Sequence, residues 1–311
     1  MVEIIIQALA LFASLAVLAT ASFFAIKHIE DFMEIIRLSE VAAGFVILAI
    51  MTCMPEITVA VFSVQHGTAG ISIGDILGSH LFNIGVVVGL LATFGSLKKC
   101  RTEALVELID LLFLASIIPL LLVAFKAASS IIGVLLIVIF VLSFYRMSRK
   151  RRPPTFDHIK DRRVERKKPL IILITILITV AIVVLSARTT ITSAIEIIKL
   201  VGISQPEIGA KIVAVGTSLP ELAFGLVALK RGRVHLALGD AIGANLTTIT
   251  LVLGIVLLFA PFAIEQLMFT EILIFVLIMN LILWRYLTKG GVTQLGGIIL
   301  ITVYIVFQAI F

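Results

Sequence analysis

The chain of 311 residues is 60% hydrophobic and 14% charged, with a mean hydropathy of +1.21, whereas a soluble domain is about half apolar and about a quarter charged. An all-α integral membrane protein is expected. Its net charge of +6 is carried by loops between apolar segments, where basic residues set orientation, so nucleic acid is excluded as a partner.

The N-terminus starts MVE and runs into an apolar stretch with no basic leader and no cleavage site. It reads as a retained first span rather than a signal peptide. At about twenty apolar residues per crossing, the chain divides into about ten spans near 4–26, 41–65, 72–96, 104–125, 128–147, 169–187, 206–229, 235–260, 266–287 and 293–311. The basic segment Arg146 to Lys168, "RMSRKRRPPTFDHIKDRRVERKK", is placed on the cytoplasmic side by its Lys/Arg content. Counting outward from it, "KKCR" (98–101), "KRGR" (230–233) and the Arg285/Lys289 turn also fall inside, while "QHGTAG" and "APFAIEQ" fall outside without a basic residue. Both termini are then outside, in what is expected to be the cell membrane. The expected organisation is a first five-helix repeat over 1–148, a basic linker over 149–168 and a second five-helix repeat of opposite topology over 169–311.

An internal repeat supports that division. Offset by 165 positions, Ala49 to Gly89 aligns with Ala214 to Gly254 without a gap, and 12 of 41 positions are identical. The matches include Thr52/Thr217, Pro55/Pro220, Glu56/Glu221, Gly74/Gly239, Asp75/Asp240 and Gly78/Gly243. Upstream, "EIIRL" (34–38) answers "EIIKL" (196–200). Similar apolar composition does not place Pro-Glu and Gly-Asp pairs at matched spacing, so the halves are read as a duplication. Inverted repeats whose broken helices meet at the midplane characterise secondary transporters.

The stretch "MTCMPE" (51–56) and its counterpart "GTSLPE" (216–221) set a proline and an acid inside apolar runs. Proline supplies no N–H and clashes with the carbonyl one turn back, so Pro55 is expected to free the carbonyl of Met51, and Pro220 that of Gly216. Beside these lie Glu56 with Thr52, and Glu221 with Thr217 and Ser218. Such all-oxygen sets suit hard cations such as Ca2+ and Na+, and two carboxylates match one divalent charge. The alternative is a pair of proline kinks with structural glutamates.

In the following segments Asp75, Ser79 and Asn83 recur every four residues on one helix face, matched by Asp240, Ala244 and Thr248. Asp75 and Asp240 are read first as helix N-terminal caps and second as ion contacts. The neighbouring glycines permit close helix approach. His80 and Cys53 raise the possibility of zinc, but Asn245 and Ser218 stand at the matching places, so packing or tuning is the preferred reading. Cys100 lies in a basic loop, and no disulfide framework is implied.

On these residues the chain resembles the Ca2+/cation antiporter superfamily, in its Na+/Ca2+ exchanger branch. "GTSLPE" with "LGDAIGAN" is similar to that family's α-repeat motif, and "MTCMPE" with "IGDILGSHLFN" is an altered copy. The resemblance implies ten helices, a central site made by the Pro-Glu helices and their successors, and first and sixth helices that slide past that core. It implies that Glu56, Glu221 and the backbone oxygens of Thr52 and Thr217 hold Ca2+, and that Ser218, Ser79 and Asn83 serve Na+ sites or the central polar cluster. Cys53, Ala244 and Thr248 depart from the family pattern and remove oxygen ligands from places assigned to Na+.

The expected function is secondary active antiport of Ca2+ against a monovalent cation, Na+ foremost, with H+ coupling or another divalent cargo as variants. No catalytic residue and no cofactor is expected. A paired-aspartate intramembrane protease built on Asp75 and Asp240 and a passive cation channel are the alternatives of other classes. The transported ions and membrane lipid are the expected partners.

Overall fold

The computed structural model describes residues 2–33, 40–95, 97, 100–125, 130–149, 169–260 and 266–310. Among them every regular element is a helix. Helical runs cover Val2–Met33, 40–65, 69–94, Glu103–Phe125, Ser130–Ser148, Pro169–Val201, 205–230, 234–259, Gln266–Thr288 and Gln294–Ile310. Among the described residues, five helices are long and apolar enough to cross a membrane, Ala69–Phe94, Ser130–Ser148, Gln205–Lys230, Val234–Phe259 and Thr270–Thr288. The segment "EIIRL" and residues 150–168 of the linker lie outside the described residues.

Two expected spans are too short. The first helix continues from the apolar run to Met33, and the helix beginning at Pro169 continues past residue 187 to Val201. Apolar length reports how much helix lipid can cover, whereas the helix itself persists through the polar residues of "SARTTITSAIEIIKL" because none of them breaks the i to i−4 ladder.

The 165-residue offset found in the sequence reappears in the backbone. Helices Met54–Gln65 and Ala69–Phe82 recur as Leu219–Lys230 and Val234–Thr247. The turn between them is closed by Gly67 (φ 67°) in the first case and Gly232 (φ 72°) in the second, a left-handed conformation that glycine adopts without steric cost. Four π-helical segments also pair off: Gly44–Ala49 with Gly209–Val213, and Asn83–Val88 with Thr248–Val252. Such wide turns inside α-helices are frequent at functional sites.

Both Pro-Glu helices are broken at one residue. Cys53 (φ −74°, ψ 2°) separates Ile50–Thr52 from Met54–Gln65, and Ser218 (φ −91°, ψ 4°) separates Ala214–Thr217 from Leu219–Lys230. Each proline sits in the first turn of the new helix, where its missing N–H is least costly. The expected free carbonyls are not left free: those of Met51 and Gly216 each accept a backbone N–H at the break. The same N–H groups also donate to the Ala49 and Ala214 carbonyls, each at 3.1 Å, so the Met51 and Gly216 oxygens share a donor and keep acceptor capacity.

Close packing then crosses between halves. Helix Ala69–Phe82 lies on the 205–217 run, and helix Val234–Thr247 on the 40–49 run. A Cβ on Gly74 would collide with the Pro206 carbonyl, and one on Gly209 with that of Ile71. A Cβ on Gly239 would come 2.7 Å from the Val41 carbonyl oxygen, and one on Gly243 2.9 Å from Phe45 Cα. These glycines let backbone meet backbone, as small residues do between membrane helices.

The long helices Val2–Met33 and Pro169–Val201 pack on each other, joined by Ser14 Oγ and Thr190 Oγ1 at 2.9 Å. Leu11, Leu15, Ala187, Ile191 and Ala194 from this pair form a small apolar cluster with Val59, Ile71, Ile208 and Val213, separate from the main core. Leu15 covers Gly216, at the second helix break.

Candidate cation site

The two breaks bring the glutamates together. One carboxylate oxygen from Glu56, one from Glu221 and the Sγ of Cys53 all lie within 4.8 Å of one another. All three residues are buried. None of the four glutamate oxygens has a hydrogen-bond partner. Buried polar atoms are normally paired, and an unpaired carboxylate is the most costly kind of exception. Ca2+ binds oxygen at 2.3–2.6 Å, so ligands on opposite sides of one ion stand about 4.6–5.2 Å apart. The separation in this site therefore fits a single cation bridging both acids.

Thr52 and Thr217 are buried next to the breaks, and each hydroxyl reaches across to the other half. Thr217 Oγ1 donates to Asp75 Oδ1 at 2.8 Å, and Thr52 Oγ1 donates to Asp240 Oδ1 at 3.3 Å. This overturns the capping assignment for the two aspartates. Their helices start after Thr68 and Arg233, so both acids sit in mid-helix, buried, with Oδ2 unpartnered. The apolar residues preceding each Gly-Asp continue the helix instead of the loop that a cap would require. Each aspartate fixes the threonine of the opposite half, which in turn fixes the backbone beside the glutamate.

The remaining sequence-predicted residues are also buried, apart from partly exposed Met51. Ser79 Oγ donates to the Ile76 carbonyl at 3.1 Å and Thr248 Oγ1 to the Asn245 carbonyl at 3.1 Å. Because each hydroxyl spends its proton on its own helix, its lone pairs stay available to a cation. Ser218 Oγ is unpartnered. Asn83 Nδ2 donates to Asn245 Oδ1 at 3.0 Å and Asn245 Nδ2 to the His80 carbonyl at 3.2 Å, tying the halves together, while Asn83 Oδ1 has no partner. Asn83 and Thr248 each open a π segment, so the wide turns begin at these polar residues.

His80 does not join the glutamates in the cluster at 4.8 Å. It belongs to a chain of buried polar groups that the sequence did not disclose: Asn280 Nδ2 donates to Ser116 Oγ at 2.7 Å, which turns Asn280 Oδ1 toward His80 Nε2 at 2.8 Å. That amide orientation makes Nε2 the donor. The preferred packing role for His80 accords with this chain. Cys53 differs, since its sulfur faces both acids.

Known proteins match this architecture. The family model described as sodium/calcium exchanger protein matches residues 6–148 and 171–311. The sodium/calcium exchanger MaX1 of Methanosarcina acetivorans is 26% identical over 350 aligned positions, covering 99% of each chain. An uncharacterized membrane protein of Methanocaldococcus jannaschii, MJ0091, is 29% identical over 275 residues, covering 87% of this chain and 86% of the relative. Among solved structures, the sodium-calcium exchanger NCX_Mj soaked with Na+ and Sr2+ superposes with a TM-score of 0.71 at 27% identity, covering 98% of this chain and 99% of that one.

Proposed function

The chain belongs to the sodium/calcium exchanger family, and from that premise we propose that it is an antiporter that exchanges Ca2+ for Na+ by alternating access, with Glu56 and Glu221 as the acids that hold Ca2+. The observation that carries this reading is the buried meeting of two unpartnered carboxylates from corresponding places in the two halves. Thr52 and Thr217 supply backbone oxygen beside them, with the carbonyls of Met51 and Gly216 as further oxygens at the same breaks. Ser218, Ser79, Asn83 and Thr248 offer the neutral oxygens that Na+ accepts.

Mechanism follows from charge. Two ionised carboxylates no more than 4.8 Å apart repel by at least about 3.5 kcal/mol at an effective dielectric near 20, on top of several kcal/mol for burying each ion. An empty, closed site with both acids ionised is therefore scarcely populated. One Ca2+ neutralises the pair; Na+ ions or two protons do the same. Only a loaded carrier switches sides, so flux of one ion requires return of another.

The moving part is proposed to be the pair of long helices, Val2–Met33 and Pro169–Val201. Its apolar contact with the rest is a cluster of its own, and a smooth aliphatic interface can shift in register with little loss of burial. Ten crossings in two inverted repeats, with the basic linker in the cytoplasm and both termini outside a cell membrane, complete the proposal. The 165-residue recurrence of broken helices, π segments and glycine turns supports the repeat.

The test is Ca2+ uptake into proteoliposomes under imposed gradients. An outward Na+ gradient is expected to drive accumulation against the Ca2+ gradient, and a pH gradient alone to drive much less. Uptake driven by the pH gradient and indifferent to Na+ would replace Na+ with H+ as the coupling ion. Downhill flux that needs no counter-ion would make the protein a channel.

A further inference from the structure

Cys53 stands at the first helix break, opposite Ser218 at the second. Its sulfur is fully buried and lies within 4.8 Å of an oxygen of each glutamate. Its hydrogen-bond contact is the Ala244 carbonyl at 3.5 Å, a weak bond for a weak donor. All four glutamate oxygens, the one from each acid near the sulfur included, are unpartnered, and so is Ser218 Oγ. The donor set on the page is therefore two carboxylates and one sulfur in mutual reach.

Sulfur changes which cations such a set prefers. Ca2+ binds oxygen and gains nothing from a thiol. Thiolate is a soft ligand that selects polarisable metals, and Zn2+ accepts Cys sulfur, His nitrogen and carboxylate oxygen alike. We propose that Cys53 is a sulfur ligand that makes the glutamate site a high-affinity site for thiophilic divalent cations of the Cd2+ and Zn2+ class, which occupy it in competition with Ca2+. On binding, the S–H bond breaks, its proton passes to water, and the metal–sulfur bond forms with no change of oxidation state. This deepens the exchanger reading and rests on its assignment of Glu56 and Glu221. The sequence alone pointed away from a soft metal because no second Cys or His occupies the matching half; the structure supplies the partners as carboxylates instead.

The experiment titrates Cd2+ into the purified full-length protein and follows the ultraviolet sulfur-to-cadmium charge-transfer band. Wild type, Cys53→Ser, Cys53→Ala and Cys100→Ser are compared, since Cys100 is the other free thiol. In parallel, the ratio of half-blocking Cd2+ to half-saturating Ca2+ is measured for uptake into proteoliposomes. Wild type and Cys100→Ser are expected to develop the band and share one ratio. Both Cys53 variants are expected to lack the band, and the ratio is expected to rise about tenfold or more on losing the sulfur ligand. A band that survives Cys53 substitution or disappears with Cys100→Ser overturns the proposal, as does an unchanged ratio in the Cys53 variants. A Cys53-dependent band in a wild type that moves no Ca2+ upholds the sulfur ligand and defeats the calcium reading, so the two fail separately.

Discussion

Glu56→Gln and Glu221→Gln are each expected to reduce Ca2+ uptake into proteoliposomes by about 10²–10⁴-fold, the equivalent of the ~3–5 kcal/mol that follows removal of one partner from a buried charged set. The amide keeps the shape of the side chain and one oxygen, so the helix breaks at Cys53 and Ser218 stay intact and folding is preserved. What disappears is half of the negative charge that a divalent ion needs. Near-equal losses are expected because both acids are buried, unpartnered and within reach of the same point. Uptake that survives either substitution at the wild-type rate removes that glutamate from the site.

The second large effect concerns motion. An ideal Cβ on Gly216 stands 2.9 Å from Leu15 Cβ, and disulfides span about 3.5–4.5 Å between Cβ atoms. A relaxation of about 1 Å thus lets Leu15→Cys and Gly216→Cys pair. The bond would tie the long helices to the broken helix and prevent the slide that alternating access requires. Oxidation of the double variant is expected to stop exchange almost completely, and reduction to restore it, with each single variant indifferent to both treatments. Exchange that continues at its reduced-state rate with cross-linking complete, as judged by mass, would show that this contact stays fixed during transport.

The features that carry charge were legible in the sequence. A proline beside an acid is conspicuous in an apolar run, and its repetition at a 165-residue offset singles out Glu56 and Glu221. The glycines were legible for the same reason: Gly74 and Gly239 sit in paired motifs, and the backbone contacts found there need residues without a side chain. Apolar length located the helices and understated the two long ones, because it measures lipid contact and not helical hydrogen bonding.

Other features were not legible, for physical reasons. An acid such as Asp75 suits a helix N-terminus by cap geometry and dipole, yet its partner is Thr217, 142 residues away. Pairing across the halves depends on how helices cross, which periodicity does not encode. The π segments leave no mark in "GFVILA" or "TITLV", since in a helix apolar on every side one extra residue per turn shifts no visible face. His80, Asn280 and Ser116 meet from three separate helices, and nothing local to any of them announces the chain they form.

The central claim is that one cation sits between Glu56 and Glu221. Anomalous diffraction from crystals of the full-length protein soaked in Sr2+, a heavier stand-in for Ca2+, tests it most directly. One strong peak between those two carboxylates, displaced when the soak contains excess Ca2+, is the result expected. A peak elsewhere, with both glutamates paired instead to protein donors, would contradict the account.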